Sequence, residues 1–339
     1  MDTQPPGRLN GIYITPTGIG CRIGGDASAL AHVNLIASCC QRLIANPNSC
    51  NASDINTQAN NVLYTEGSTI DRFLEGSINL KECKTYNRIL CVVNKPISIA
   101  SQNAINAARW TLGADITLLE LDTPLQMDAF INSDGTAGGR LFGHHELVQQ
   151  VRGLEFDILT VHTPINCPQE IQDAYWSGAI LVNPWGRVEA LLSKFLSSAL
   201  NKQAVHSPVE FLVDPIFDKI LVKPSEAAEV ISNTFSWCMH KGSHHAPTID
   251  PDRNPRNLSN QDIDFLISPA DCWGRPHDAC LQNHIPILIV RENTTCFKDF
   301  KYPMVALESP KVIFVENYLE AAGILMAWNA GIDPRIIRL

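Results

Sequence analysis

Short β-branched runs alternate with stretches of helical length along almost the whole chain, and this alternation restricts the fold more than any other feature. The clearest runs are "GIYIT" (11–15), "RILCVV" (88–93), "ITLLEL" (116–121), "DILTV" (157–161), "AILVN" (179–183), "KILV" (219–222), "DFLIS" (264–268), "PILIV" (286–290) and "KVIFV" (311–315). Between them, a helix is expected from a cap at Asp26 to about Ile44, one ending at Gly113, one over "RVEALLSKFLSSAL", one from Pro224 to about Lys241, and one opened by Asn317 and Glu320 and closed by Gly331. Strands alternating with helices predict an α/β fold: mostly parallel, Rossmann-like sheets with helices on both faces.

The expected organisation is a loose lead-in over 1–10 and two α/β lobes, 11–202 and 203–339. The second carries a polar insert, "DPDRNPRNLSNQD", at 250–262. The chain has 339 residues and a net charge of −9 without a basic block, so neither nucleic acid nor an anionic membrane is an expected partner. The start, "MDTQPPGRLNG", lacks a signal pattern, and the eleven cysteines show no C-x-x-C spacing. A cytoplasmic location with reduced thiols is therefore expected. A homo-oligomer is compatible with the hydrophobic C-terminal helix.

Polar residues cluster just after the strands, at Thr17, His162, Asn183, His206, Asp271, Cys272, Glu292 and Asn293. In open parallel sheets, ligands bind at the carboxyl ends of the strands, although such turns need polar residues anyway. The loop "TPTGIGCRIGGD" follows a strand and precedes a helix, which suits an anion held by Gly18, Gly20, Gly24 and Gly25, or simply a tight turn. Its G-x-G-x-x-x-G spacing exceeds the dinucleotide fingerprint by one residue, and no acid occurs from 38 to 53, which argues against NAD.

A second glycine run (132–147) offers Arg140 as an anion clamp on a mobile lid. Its "HHELVQ" lacks the second zinc histidine, because Gln149 stands in that position. Cys272, near an expected helix N-terminus, is a candidate nucleophile. In "WCMHKGSHHAPTI", His240 is expected to cap a helix end as a cation, while His244 and His245 lie in a loop beyond it. No cofactor is expected; a divalent metal is the lesser alternative.

"PTGIG…IGGD", "LYTEGSTIDRFLEG", "NPWGRVEALLS", "HSP", "KGSHHAP", "IPILIVRENTT" and "ENYLEAAGILMAWNAGI" together resemble an uncharacterised bacterial family, common in cyanobacteria and known only as a domain of unknown function. The resemblance implies a full-length unit and carries no activity. The family has a serine-richer run where this chain reads "DGTAGGR", a departure that argues against a serine nucleophile there.

The expected function is a cytosolic enzyme acting on a small anionic metabolite. His206 with His244 or His245 would do acid–base work, aided by Asp271 or Glu292, and hydrolase or lyase chemistry is preferred. The alternatives are a nucleotide-sugar transferase or epimerase, suggested by a looser similarity of the first glycine loop and "ACLQNHIPILIVREN", and a non-catalytic metabolite-binding protein.

Overall fold

The computed structural model describes residues 8–25, 28–208 and 219–337. The chain runs β1 (Leu9–Tyr13), α1 (Leu30–Ala37), β2 (Cys40–Ala45), β3 (Val62–Tyr64), α2 (Gly67–Leu74) and β4 (Asn79–Lys81). It continues through β5 (Arg88–Asn94), α3 (Ile99–Leu112), β6 (Asp115–Leu121), β7 (Gln126–Ile131), β8 (Ala137–Phe142), α4 (His144–Val151), β9 (Ile158–His162), α5 (Gln169–Trp176), α6 (Gly186–Leu200) and β10 (Ala204–Ser207). The remainder holds α7 (Ala227–Ile231), α8 (Phe235–His245), β11 (Thr248–Asp250), β12 (Phe265–Pro269), α9 (Arg275–Gln282), β13 (Ile287–Val290), α10 (Met304–Glu308), β14 (Val312–Val315), α11 (Tyr318–Asn329) and α12 (Pro334–Ile337).

Two parallel sheets carry the fold. The larger has the order β14-β13-β12-β1-β2-β3, the smaller β10-β9-β5-β6. In the larger sheet Ile12 lies opposite Leu266 on one side and Ile44 on the other. One face packs on α1 and α11 through Val33, Ile36, Ala321 and Leu325; the other packs on α2 and α9 through Ile70, Phe73, Ala279 and Cys280. The smaller sheet is covered by α4 and α6 on one face and by α3 on the other. Covering both faces buries every side chain of a central strand, which explains unbroken apolar runs such as "ILIV" at β13. Each fully buried Ile or Leu there contributes about 1.5–3 kcal/mol. Gly11 makes room for the ring of Phe265 on the neighbouring strand, which stands where a Cβ would be. The Rossmann-like α/β expectation thus holds.

The sheets divide the chain differently from the expected cut at 202/203. β1–β3 and β12–β14 share one sheet, and the smaller sheet lies wholly within residues 88–207. One lobe is therefore built from both ends of the chain, with the other inserted between them.

Several expected elements differ. The helix expected up to Ile44 ends at Ala37, because Cys40–Ala45 pairs with β1 on one side and β3 on the other. Its expected cap, Asp26, lies outside the described residues. Residues 179–183 form no strand: Leu181 is 71% exposed and only part of the run is buried. Residues 219–222 form no strand either. Val222 N–H donates to Asn103 Oδ1 at 3.0 Å, which fastens this segment to α3 instead. The helix expected from Pro224 is broken: α7 stops at Ile231, and Thr234 caps α8 by accepting from Trp237 N–H. α8 then runs past Lys241 to His245. The expected lid over 132–147 is an ordered hairpin, β7–β8, leading into α4.

Among the described residues, no helix is long and apolar enough to cross a membrane.

Candidate functional site

The carboxyl ends of both sheets open onto one cavity of about 410 Å³. Its walls come from Thr15–Thr17 after β1, Asn46 after β2, Glu66–Ser68 after β3, Cys272–Gly274 after β12, His206 in β10, and the first turns of α6. The lobes are fastened together beside it. Glu66 N–H donates to Gln203 Oε1 at 2.7 Å, the Thr69 and Ser197 hydroxyls lie 3.1 Å apart, and Arg72 donates to Asn201 Oδ1 at 2.8 Å.

His206 and Glu189 form the first reactive feature. His206 Nδ1 lies 2.9 Å from Glu189 Oε1, and the histidine side chain is 1% exposed against 25% for the glutamate. A carboxylate partner keeps the proton on Nδ1. Nε2 lies 3.1 Å from the Thr163 carbonyl and 3.2 Å from its hydroxyl. Both ring nitrogens are therefore engaged within the protein, and Glu189 is the more exposed member of the pair.

Asp71, on α2, is the second. Burial pushes its carboxyl group up to about 6, against the pull of Arg275, with Glu66 and Glu75 adding to the rise and Lys194 opposing it. Arg275 is mainly committed to Glu75, at 2.8 Å through Nη2, and stands 3.6 Å from Asp71. Such a carboxyl group exchanges protons near neutral pH, as a general acid or base must. Glu66 differs. Burial raises its pKa too, but its oxygens accept from the N–H and hydroxyl groups of both Ser68 and Thr69, so it serves as the cap of α2.

Positive charge comes from α6. Arg187 and Lys194, seven residues apart, both line the cavity, and neither forms an ion pair among the described residues. The first turn of α6 approaches the β1 loop so closely that a Cβ on Gly186 would overlap the Thr17 hydroxyl. Asn183 makes this possible by accepting from Trp185 N–H and Gly186 N–H, at 2.9 and 3.1 Å; it lines the groove beside the cavity, not the cavity itself.

Of the residues singled out in the sequence, Thr17, His206 and Cys272 meet in this cavity. The surroundings of Cys272 disfavour the thiolate that a nucleophile needs. Burial pushes its thiol up to about 12, and Sγ points to the Pro269 carbonyl at 3.4 Å. Gly18, Gly20, Gly24 and Gly25, all with positive φ, line an adjoining groove instead. His244 and His245 occupy the last turn of α8, not a loop, and line a separate groove beside Tyr64 and Leu112.

His240 is no helix-end cation. It is fully buried and lowered to about 4 by burial, then by Arg109. His162 is also buried, and is lowered to about 3 by burial, then by His240 and His206.

Asn293 fastens the glycine loop by accepting from Ile23 N–H and donating to the Ile23 carbonyl and Tyr318 hydroxyl. Glu292 accepts from Tyr318 N–H at 3.0 Å, at the start of α11. Asp271 has a left-handed backbone, φ 57°, held by Tyr302 and Thr295. Arg140 stacks over Phe130 at 5.3 Å. None of these four lines the cavity.

Sequence reading missed Asp71, Glu189, Arg187 and Lys194. Three of them follow "NPWGR" or lie in the helix it opens, and Asp71 follows "VLYTEGS". Treating "VLY" as a strand would have extended the strand-end rule to it. His277 also lines the cavity but is spoken for. Nδ1 accepts from Gly274 N–H at 3.1 Å, so Nε2 carries the proton and faces Ser268 Oγ at 2.8 Å. Burial lowers it to about 4. Among the described residues, no group of three or more His, Cys, Asp or Glu side chains is placed to hold a metal ion.

Comparison with known proteins brings a family and no activity. A protein from a Synechococcus strain named "Uncharacterized lipoprotein" is 30% identical over 341 residues, which covers 96% of this chain and 92% of that protein. No solved structure matches the chain. The family described as protein of unknown function (DUF3326) matches residues 10–338, and the chain belongs to it.

Proposed function

We propose that this protein is an enzyme acting on a small anionic metabolite in the cavity between the two sheets. The observation that carries the reading is the presence, in one cavity, of the His206–Glu189 pair, a carboxyl group pushed up to about 6 and two cations with no ion pair among the described residues. Arg187 and Lys194 hold the substrate's anionic group. Asp71 and the His206–Glu189 pair exchange protons with it, one as acid and the other as base, with Glu189 the more exposed member of the pair and His206 fixing its carboxylate. Paired proton transfer of this kind fits lyase or hydrolase chemistry.

The test begins with mass spectrometry of metabolites that copurify with the protein, followed by turnover assays on those found. Asp71→Asn and His206→Gln are each expected to lower turnover by roughly 10²–10⁴-fold while still binding the substrate. Replacing both Arg187 and Lys194 with alanine is expected to weaken binding itself. Full turnover in both Asp71→Asn and His206→Gln would overturn the assignment. Tight binding without turnover in the wild type would favour a metabolite-binding protein instead.

A further inference from the structure

A second groove, of about 300 Å³, runs along the glycine loop and adjoins the cavity, with Pro16 lining both. Its floor has unused donors. No described residue accepts a hydrogen bond from the backbone N–H groups of Gly18, Gly20, Cys21, Gly24 or Gly25. Gly24 and Gly25 are both in the left-handed region, at φ 83° and 90°. Successive residues with free N–H groups in such turns form a concavity suited to an oxyanion. The Thr17 hydroxyl, between Pro16 and Gly18 of the groove and itself lining the cavity, is buried without a partner among the described residues.

The groove is also positive and aromatic. Among the described residues Arg22 lines it, no Asp or Glu does, and Arg22 makes no ion pair, in a chain of net charge −9. Tyr175 and Trp176 also line it, at the end of α5, a helix without a buried residue. Trp176 is 64% exposed, yet it is held by Tyr175 at 5.0 Å and by Trp185 at 5.8 Å between ring centroids. A ring both exposed and fixed is a stacking platform, and any flat heteroaromatic base presents a π-face to it.

We infer that this groove is a subsite for a nucleoside phosphate. The phosphate lies on the glycine-loop N–H groups with Arg22, and the base lies on Trp176. The assignment rests on the reading of the adjoining cavity only in placing the ligand's reactive end past Thr17, towards His206 and Asp71.

The test is titration of the full chain with ADP, UDP, AMP and inorganic phosphate, followed by calorimetry and tryptophan fluorescence. Nucleotides are expected to bind and quench Trp176, and phosphate to compete with them. Trp176→Ala should weaken nucleotides by roughly tenfold or more but leave phosphate unaffected. Trp176→Phe should restore most of the affinity without the fluorescence signal. Arg22→Ala should weaken nucleotides and phosphate alike. If no nucleotide binds, or if nucleotides bind Trp176→Ala and Arg22→Ala as tightly as wild type, the inference falls. These measurements need no turnover, so their failure is separable from loss of the proposed acid–base chemistry.

Discussion

Asp71 places a chargeable group where charge is costly, and the protein's stability should report it. Its native pKa of about 6 exceeds the ordinary 3.8, so between those values the folded state binds more protons than the unfolded state. Stability from this group therefore rises as pH falls through 6, and the full penalty is present above 6. Asp71→Asn is expected to raise unfolding free energy by about 1–3 kcal/mol at pH 8, with the gain vanishing near pH 4. Chemical denaturation at the two pH values checks this; an equal gain at both would sink it. Residues of this kind are hard to read in a sequence. The aspartate in "EGSTIDRF" looks like an ordinary helix-surface acid until Arg275 and Lys194 arrive from distant segments. His206 was legible because it stands near the carboxyl end of a short strand, whereas its partner Glu189 lies one turn into a helix. The glycines at 18–25 were legible as a loop, and their neighbours explain the rest.

Helix α8 shows what the packing of one element can demand. Its His240 is buried near His162 on β9, and neither ring nitrogen of His240 has a hydrogen-bond partner among the described residues. Both histidines are held neutral, at about 4 and about 3, below the unfolded value of 6.5. Here the unfolded state binds more protons, so stability is lost as pH falls from 6.5 towards 4, the opposite sign to Asp71. Each group contributes a slope of roughly 1.4 kcal/mol per pH unit in that window. His162→Asn combined with His240→Gln is expected to flatten the dependence, read from urea midpoints at pH 7, 6 and 5. A slope unchanged in the double variant would exclude the pair as its source. Element types were legible where apolar runs were long and bounded, as at β5, β9, β12 and β13. "CQRLIA" continues the helical spacing before it and became β2 only because β1 and β3 flank it. "AILVN" had strand composition but no neighbour to pair with.

At the scale of the molecule, the two lobes were legible and their boundary was not, since nothing local marks β1 as the partner of β12. The first described residue lies against the end of α11: Arg8 N–H donates to Asn329 Oδ1 at 2.9 Å. A circular permutant opened in the exposed β7–β8 turn at Asp134 and closed by a flexible linker is expected to keep a single cooperative denaturation transition. A chain truncated after Lys202 is expected to lose it, because β1 would have no β12; a truncated chain that unfolds cooperatively would contradict the discontinuous lobe. The same pairing sets a timetable for synthesis. β1 leaves the ribosome about 250 residues before β12 exists, a delay of roughly ten to fifty seconds at ordinary elongation rates. For that time the nascent chain carries an open, apolar strand edge of the kind that recruits other chains. Newborn copies on one messenger are therefore the population most exposed to mispairing, and slowing translation between β3 and β12 should lower the soluble yield.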